Sequence, residues 1–403
     1  MIIHLGLYLF VTMILLVLCI DLVPLLRDWI GRIKIGRFKD MDSWTNDISN
    51  IAEKWILKTP KIKVTDNSRL IILDIIKGNY TKAAIQHWQQ ASLLLALNEY
   101  SKTRDDISFQ KSIVSYLNRT FDSNGQWIEK PKHIDVAILA YAVMKLEFID
   151  INMYKHALDT VWSLIKEHKG EDGTIFYRHS TKKYRYVDTI GFICPFLVSY
   201  GLRYGKEECL ELAMTQIRNY ELYGMHKEYS IPVHAYDYKN KTPLGLYGWG
   251  RGLGWYAIGL MDSWKQLPVG NKYKNELEQI VIKFAKAAIS FQQDDGSWGW
   301  TVTRSETLKD SSTTAILGWF LVNAGEIPEI TEECFINSDK SLNYLMRVTR
   351  RNGAVDFSQG DTKDIGVYSN EFNILPFTQG FCIRLVNSFM KMNEAKTEKS
   401  KVS

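Results

Sequence analysis

Six stretches of this chain follow one pattern, and a pattern that recurs at this spacing admits few folds. Four copies open on an Asp-Gly or Asn-Gly pair, pass through an aromatic or apolar residue, and reach a polar residue that opens an apolar helix. They occupy 123–146 (SNGQWIEKPKHIDVAILAYAVMKL), 171–201, 294–325 and 351–389. Two further copies, 85–100 and 245–264, lack the turn and keep the helix. The polar openers are His87, Asp135, Asp188, Arg251, Ser311 and Gln379, separated by 48, 53, 63, 60 and 68 residues. A period of this size means stacked helical units, none of which can bury its apolar face alone.

Between the openers lie segments such as 153–168, 207–222 and 273–293, whose apolar residues recur at three and four, as on one face of a helix. The opener helices are apolar nearly all round, so they belong inside. Six buried helices within six amphipathic ones make an all-α (α/α)6 barrel. Each inner helix starts at the same end of the ring, so the openers are expected to converge on one mouth. With 46% hydrophobic residues and no Ser/Pro/Gly-rich linker, residues 45–390 read as a single barrel domain. The polar tail, 391–403, is expected to fray.

The first 26 residues differ. LGLYLFVTMILLVLCI (5–20) carries no charge, and with LVPLL it approaches the ~20 residues that span a bilayer. The start, MIIH, has no Lys or Arg, and no small-residue cleavage box follows, so 1–26 reads as a retained membrane anchor; a cleaved signal is the alternative. Residues 27–44 form a basic juxtamembrane segment, with Arg27, Arg32, Lys34, Arg37 and Lys39 against Asp28, Asp40 and Asp42. The positive-inside rule then favours a single-pass protein with its barrel in the cytoplasm, with a secreted or periplasmic barrel as the alternative. The same segment could also lie as an amphipathic helix on an anionic surface. A whole-chain charge of +5, concentrated here, does not argue for nucleic-acid binding. Cys19, Cys194, Cys209, Cys334 and Cys382 are scattered, and no metal-ligand spacing occurs among them and the eight His, so neither a metal nor a cofactor is expected.

Asp135 and Asp188 are the candidate catalytic pair. An Asp before an apolar helix is ordinarily an N-cap. Two at corresponding places in adjacent copies, however, should face the same mouth, and paired carboxylates over a cleft are what glycoside chemistry uses. Burial or a neighbouring carboxylate would keep one of them protonated. Trp249, Trp255 and Trp298 fall in or beside opener segments, where indole faces can stack on sugar rings or pack the core. Arg251, between glycines in GWGRGLGW, offers a planar fork for a carboxylate, against a structural role at helix-end carbonyls. His87 and Ser311 join the candidate binding set as openers.

YVDTIGFICPFLVSYG, HAYD (234–237), GWGRGLGW and KDSSTTAILGWFL resemble, in order, motifs of the family 88 and family 105 glycoside hydrolases, the unsaturated glucuronyl and rhamnogalacturonyl hydrolases. The likeness runs through about 80–385 and implies the (α/α)6 barrel. It also implies proton delivery to the C4=C5 bond of a 4,5-unsaturated uronic acid, addition of water at C5, and opening of the hemiketal. By the same resemblance Asp188 is the donor, Asp135 the second carboxylate, and His234 and Arg251 substrate neighbours. The N-terminal segment through RDWIGRIKIGRF is also similar to membrane-anchored proteins of surface-polysaccharide biosynthesis. The expected function is hydrolysis of uronic-acid glycans in surface-polysaccharide metabolism, with an oligo- or polysaccharide substrate and polysaccharide assembly proteins as candidate partners. A conventional inverting glycosidase, and a non-catalytic glycan-binding or scaffold subunit, are the alternatives.

Overall fold

A computed structural model describes residues 2–60, 62–64, 71–76, 81–83, 86–104 and 107–402. Met1, Ile85 and Ser403, at the edges of the expected anchor, first copy and tail, lie outside them. The helices in chain order are α1 (Ile2–Arg32), α2 (Met41–Leu57), α3 (Ile71–Ile76), α4 (His87–Arg104), α5 (Ile107–Thr120), α6 (Val136–Met144), α7 (Lys155–Glu167), α8 (Val187–Tyr204), α9 (Glu207–Tyr223), α10 (Gly250–Gln266), α11 (Lys274–Ser290), α12 (Ser311–Ala324), α13 (Thr331–Arg347) and α14 (Pro376–Val402). Among the described residues, α4, α6, α8, α10, α12 and α14 pack each against the next, and α14 returns to α4, closing an inner ring. Helices α5, α7, α9, α11 and α13 lie outside it, and α2, packed on α14, α4 and α5, completes the outer layer. The fold is the expected (α/α)6 barrel. The tail does not fray as a separate segment: α14 carries the helix on to Val402.

The repeated Gly pairs explain themselves locally. Gly125, Gly173, Gly296 and Gly353 all have φ between +70° and +88°, the left-handed region that costs a residue with a Cβ. Single antiparallel bridges flank three of these turns, Phe121 with Trp127, Lys169 with Ile175, and Thr349 with Val355. Each turn thus reverses the chain from the end of an outer helix into the next inner one. Three small antiparallel sheets decorate the connections: β1 (Ile62–Val64) with β2 (Thr81–Ala83), β3 (Tyr184–Tyr186) with β4 (Val233–Asp237) and β5 (Pro243–Tyr247), and β6 (Ser358–Gln359) with β7 (Phe372–Asn373).

Inner helices α8 and α10 approach closely through Gly191 and Gly259. A Cβ on Gly259 would stand 2.5 Å from Ile190 Cγ2 and 2.6 Å from its carbonyl oxygen, closer than real Cβ atoms come. Gly259→Ala should therefore part the two helices. Overpacking of this kind costs about 1–3 kcal/mol, to be read by urea unfolding. Ile190 is two residues from Asp188, so activity should fall with stability. An unchanged midpoint would mean the helices have slack.

Candidate active site

The inner helices present their N-termini to one end of the ring, and the residues there are the openers. His87 begins α4, Asp135 is the N-cap residue of α6, and Asp188 and Arg251 are the second residues of α8 and α10. Neither aspartate is a helix cap: Asp135 stands at the N-cap of α6 and makes no side-chain cap bond, and Asp188 lies inside α8, whose N-cap is Tyr186. Asp310 shows what capping looks like. Its carboxylate accepts from the backbone N–H of Ser312 and Thr313 and from both their hydroxyls.

A cavity of about 160 Å³ opens at this end. Asp188, Arg251, His234, Trp249 and Trp255 line it, together with Gln86, Trp88, Tyr177, Arg178, Asp361 and Asp364. Asp188 Oδ2 is buried and has no hydrogen-bond partner among the described residues. His234 Nε2 lies 3.8 Å from it, beyond hydrogen-bond reach. Burial, with the Asp361 charge adding to it, pushes the Asp188 carboxyl up to about 7, against the lowering pull of its own backbone N–H and then of Arg251 and Arg178. At neutral pH a substantial fraction of Asp188, about half, is thus the protonated acid. Burial also lowers His234, to about 4, so its ring is neutral there. Its Nδ1 stands 3.2 Å from the Tyr368 hydroxyl, which accepts a bond from the Leu246 N–H.

Arg251 is 1% exposed. Its Nη2 donates to the Gln359 carbonyl, while Nε and Nη1 have no hydrogen-bond partner among the described residues. Asp361 Oδ1 is 3.9 Å from Nη1. A buried guanidinium with two idle donors is costly unless something anionic fills the fork. Gln359 holds the arrangement: its side-chain oxygen accepts from Trp249 Nε1 at 3.0 Å, and its own N–H is held by Asp310 at 2.9 Å. The KDSST motif therefore caps α12 and fixes the strand that positions Arg251.

The remaining candidates divide. Asp135 is buried and pairs with His87, Nδ1 to Oδ1 at 3.4 Å. It does not line the cavity, but it bears on Tyr177, whose phenol is raised chiefly by burial and further by the charges of Asp135 and Asp188. Trp255 packs edge-on against Trp88 and Phe192, with ring centroids 5.5 and 4.5 Å away, as part of the cavity wall. Trp298 belongs elsewhere: fully buried, it donates its indole N–H to the Ala288 carbonyl in the outer layer, because a buried indole must find an acceptor. Ser311 is likewise spent internally, 2.8 Å from the Ser358 hydroxyl. Gln379 bonds the carbonyls of Ile48 and Gly353 and so joins α14 to α2 rather than facing the cavity.

Asp361, Gln359 and Tyr368 were not singled out in the sequence. All sit in 354–375, the longest connection between a repeated turn and its helix. That length was the available signal. Asp361 is raised, chiefly by burial, and accepts from Gln86 Nε2 at 3.1 Å.

Comparison with known proteins places this geometry. The family model described as Glycosyl Hydrolase Family 88 matches residues 48–392. A structure described as a possible member of the GH105 family from Klebsiella pneumoniae superposes with TM-score 0.75 at 15% identity, covering 88% of this chain and 94% of its own. The family 105 glycoside hydrolase of C. acetobutylicum gives 0.69 at 16%, covering 81% and 100%. The unsaturated glucuronyl hydrolase of Bacillus sp. GL1 gives 0.63 at 13%, covering 86% and 96%. At these identities the likeness is one of fold. Among curated proteins no sequence relative matches.

Proposed function

The chain belongs to Glycosyl Hydrolase Family 88 and is a glycoside hydrolase, and on that premise we propose that it removes a terminal 4,5-unsaturated uronic acid from a glycan, with Asp188 as proton donor. The observation that carries this reading is the pairing, in one cavity, of an Asp188 that keeps its proton up to about neutral pH with the idle donors of Arg251. The fork takes the uronate carboxylate. The cavity is about the size that admits one small ring, since a cavity of ~150 Å³ accepts benzene, which suits an enzyme acting on a chain end.

Asp188 gives its proton to C4 of the enol ether. The C4=C5 electron pair forms the new C–H bond and leaves an oxocarbenium at C5. Water adds at C5 and passes a proton to the Asp188 carboxylate, restoring the acid. The C5 hemiketal then opens by cleavage of C5–O5, leaving a ketone at C5 and a hemiacetal at C1, and that hemiacetal collapses to the aldehyde and expels the neighbouring sugar as its alcohol. Neutral His234, facing Asp188, orients the water. Asp135, held by His87 outside the cavity lining, contributes its charge near Tyr177. Trp249 and Trp255 supply the apolar wall for the ring face.

The Bacillus sp. GL1 neighbour is named for degradation of glycosaminoglycan and supports the uronate reading. The exposed apolar helix α1 supports a place at a membrane, and with it a role in surface-polysaccharide metabolism. A second reading, conventional inverting hydrolysis, draws on Asp361, a second carboxylate in the same cavity.

The test is turnover of unsaturated and saturated oligouronides, the first followed as loss of the ultraviolet absorbance of the conjugated enol ether. The proposal expects only the unsaturated substrates to react; turnover of saturated ones alone would select the inverting reading. Asp188 must be protonated to act, so kcat/KM should fall as pH rises through about 7. Asp361→Asn removes a charge that favours protonated Asp188, so this limb should move to lower pH, by roughly a unit or less. A limb that stays put would show that Asp361 does not tune the donor.

A further inference from the structure

Helix α1 ends in a built junction with the barrel. Asp28 accepts from Arg350 Nη2 at 3.1 Å and from Asn373 Nδ2 at 2.6 Å. Arg32 donates to Asp356 at 2.8 Å and to the Phe372 carbonyl at 2.9 Å. Arg350 also donates to Asp356, at 2.7 Å, and to Asn373 Oδ1, at 2.9 Å. Asp356 is fully buried, which separates this network from the exposed ion pairs that contribute little. Just beyond the helix, the Gly36 N–H bonds the Thr349 carbonyl at 2.9 Å. Arg32, expected among the free juxtamembrane cations, is therefore spent on the barrel.

Of the groups that receive α1, Phe372 and Asn373 form β7 and Asp356 lies two residues before β6, and β6 and β7 together carry the active-site loop. Phe372 pairs with Gln359, and the Gln359 carbonyl accepts from Arg251. Two residues on from Gln359 is Asp361, in the cavity wall. With strands about 4.8 Å apart, Arg32 lies on the order of 15–20 Å from the substrate fork. A second tie acts on the same helix: Asp21 Oδ1 accepts from the Ile72 N–H of α3 at 3.3 Å, in the segment that leads through cavity-lining Gln86 into α4.

Residues 2–21 of α1 are long enough, at 1.5 Å each, to cross a hydrocarbon core of about 30 Å. The helix has a window of mean hydropathy 2.8, and its large apolar side chains are exposed. That depth puts Arg27, Asp28 and Trp29 about 9–12 Å beyond the core edge and Arg32 about 16 Å beyond it, just outside the headgroup layer. The loop that lines the active site is then clasped close to the membrane surface.

We propose that the substrate is a glycan carried on a lipid in the same bilayer, delivered to a mouth that the junction holds near the membrane surface. This rests on the uronyl-hydrolase reading above. A swinging tether would let the barrel sample the bulk; a clasped one confines the mouth to the surface, where the effective concentration of a lipid-borne saccharide is high. A free oligosaccharide gains nothing from that placement.

The experiment uses the full chain reconstituted in phosphatidylcholine–phosphatidylglycerol vesicles. An unsaturated uronyl oligosaccharide is supplied free in solution, coupled to phospholipid in the same vesicles, or coupled to phospholipid in separate vesicles. Turnover of the same-vesicle substrate should exceed the other two by roughly 10²-fold or more at equal bulk concentration. Asp28→Asn with Arg32→Gln should retain turnover of the free saccharide and lose most of that preference. If the double variant also loses free-substrate turnover, Asp28→Asn alone, which keeps the Arg32–Asp356 bond, is measured in its place. Equal rates on free and same-vesicle substrate would overturn the proposal and leave the hydrolase reading standing. A preference that survives release of the junction would overturn the role of the clasp. No turnover of any of the three would remove the hydrolase reading and this proposal with it.

Discussion

Asp188→Asn is expected to fold and to lose 10²–10⁴-fold in turnover, the usual contribution of one general acid. Asn matches the carboxyl in shape but has no proton to deliver. The effect on stability separates this from a capping role. The folded-state pKa of Asp188 is raised from 3.8 to about 7, so over that window the unfolded chain binds fewer protons and stability falls as pH rises. Removing the carboxyl removes that fall. The variant should therefore be at least as stable as wild type at neutral pH, whereas loss of an N-cap would lower stability by about 1 kcal/mol. Wild-type turnover in Asp188→Asn, measured on an unsaturated disaccharide, would take Asp188 out of the mechanism.

Arg251→Lys should weaken substrate binding strongly while leaving the donor in place. A single ammonium cannot present two parallel N–H groups to a carboxylate, and charge-assisted pairs of that kind contribute about 1.5–3 kcal/mol. That corresponds to roughly 10–100-fold in kcat/KM, carried mainly by KM. Lys keeps a positive charge near Asp188, so the alkaline limb should move little. Arg251→Met removes the charge that lowers the Asp188 pKa, and the limb should then rise. Steady-state kinetics across pH on both variants would separate recognition from tuning; an unchanged KM in Arg251→Lys would mean that the fork does not hold the carboxylate.

The ring was legible because its grammar is local. An Asn-Gly or Asp-Gly pair encodes a left-handed turn, and an apolar run with a polar opener encodes a buried helix whose start is exposed at a mouth. Both cues are read within one copy. What Asp188 does was less legible than where it lies. Its sequence surroundings resemble those of Asp310, yet only Asp310 caps its helix, because α12 starts just after Asp310 whereas α8 starts one residue before Asp188. Trp298 and Trp255 also look alike in sequence, each beside an opener segment, and part company because one indole finds a carbonyl in the outer layer and the other borders the cavity. Asp361 was hidden for a different reason. It stands in an irregular connection, where no periodicity assigns a direction to a side chain. Its place is set by long-range bonds to Gln86 and near Arg251, which sequence spacing does not record. The junction at Asp28 and Arg32 was missed likewise, because its partners lie more than 300 residues downstream.

The closure of the ring by α14 against α4 and α2 has a consequence for how the protein is made. The seam joins the first barrel helix to the last, with Gln379 bonded to the Ile48 carbonyl and Ser92 to that of Phe377. On the ribosome α1 and α2 emerge early, and α14 follows only after the intervening copies. At about 5–20 residues per second that delay is tens of seconds. Throughout it the apolar flanks of α2 and α4 wait without their neighbour, on a nascent chain whose start is apolar enough to seek the bilayer. A chain released before Pro376 would be an open ring with two unsatisfied ends, a substrate for chaperones and proteases rather than a smaller working enzyme.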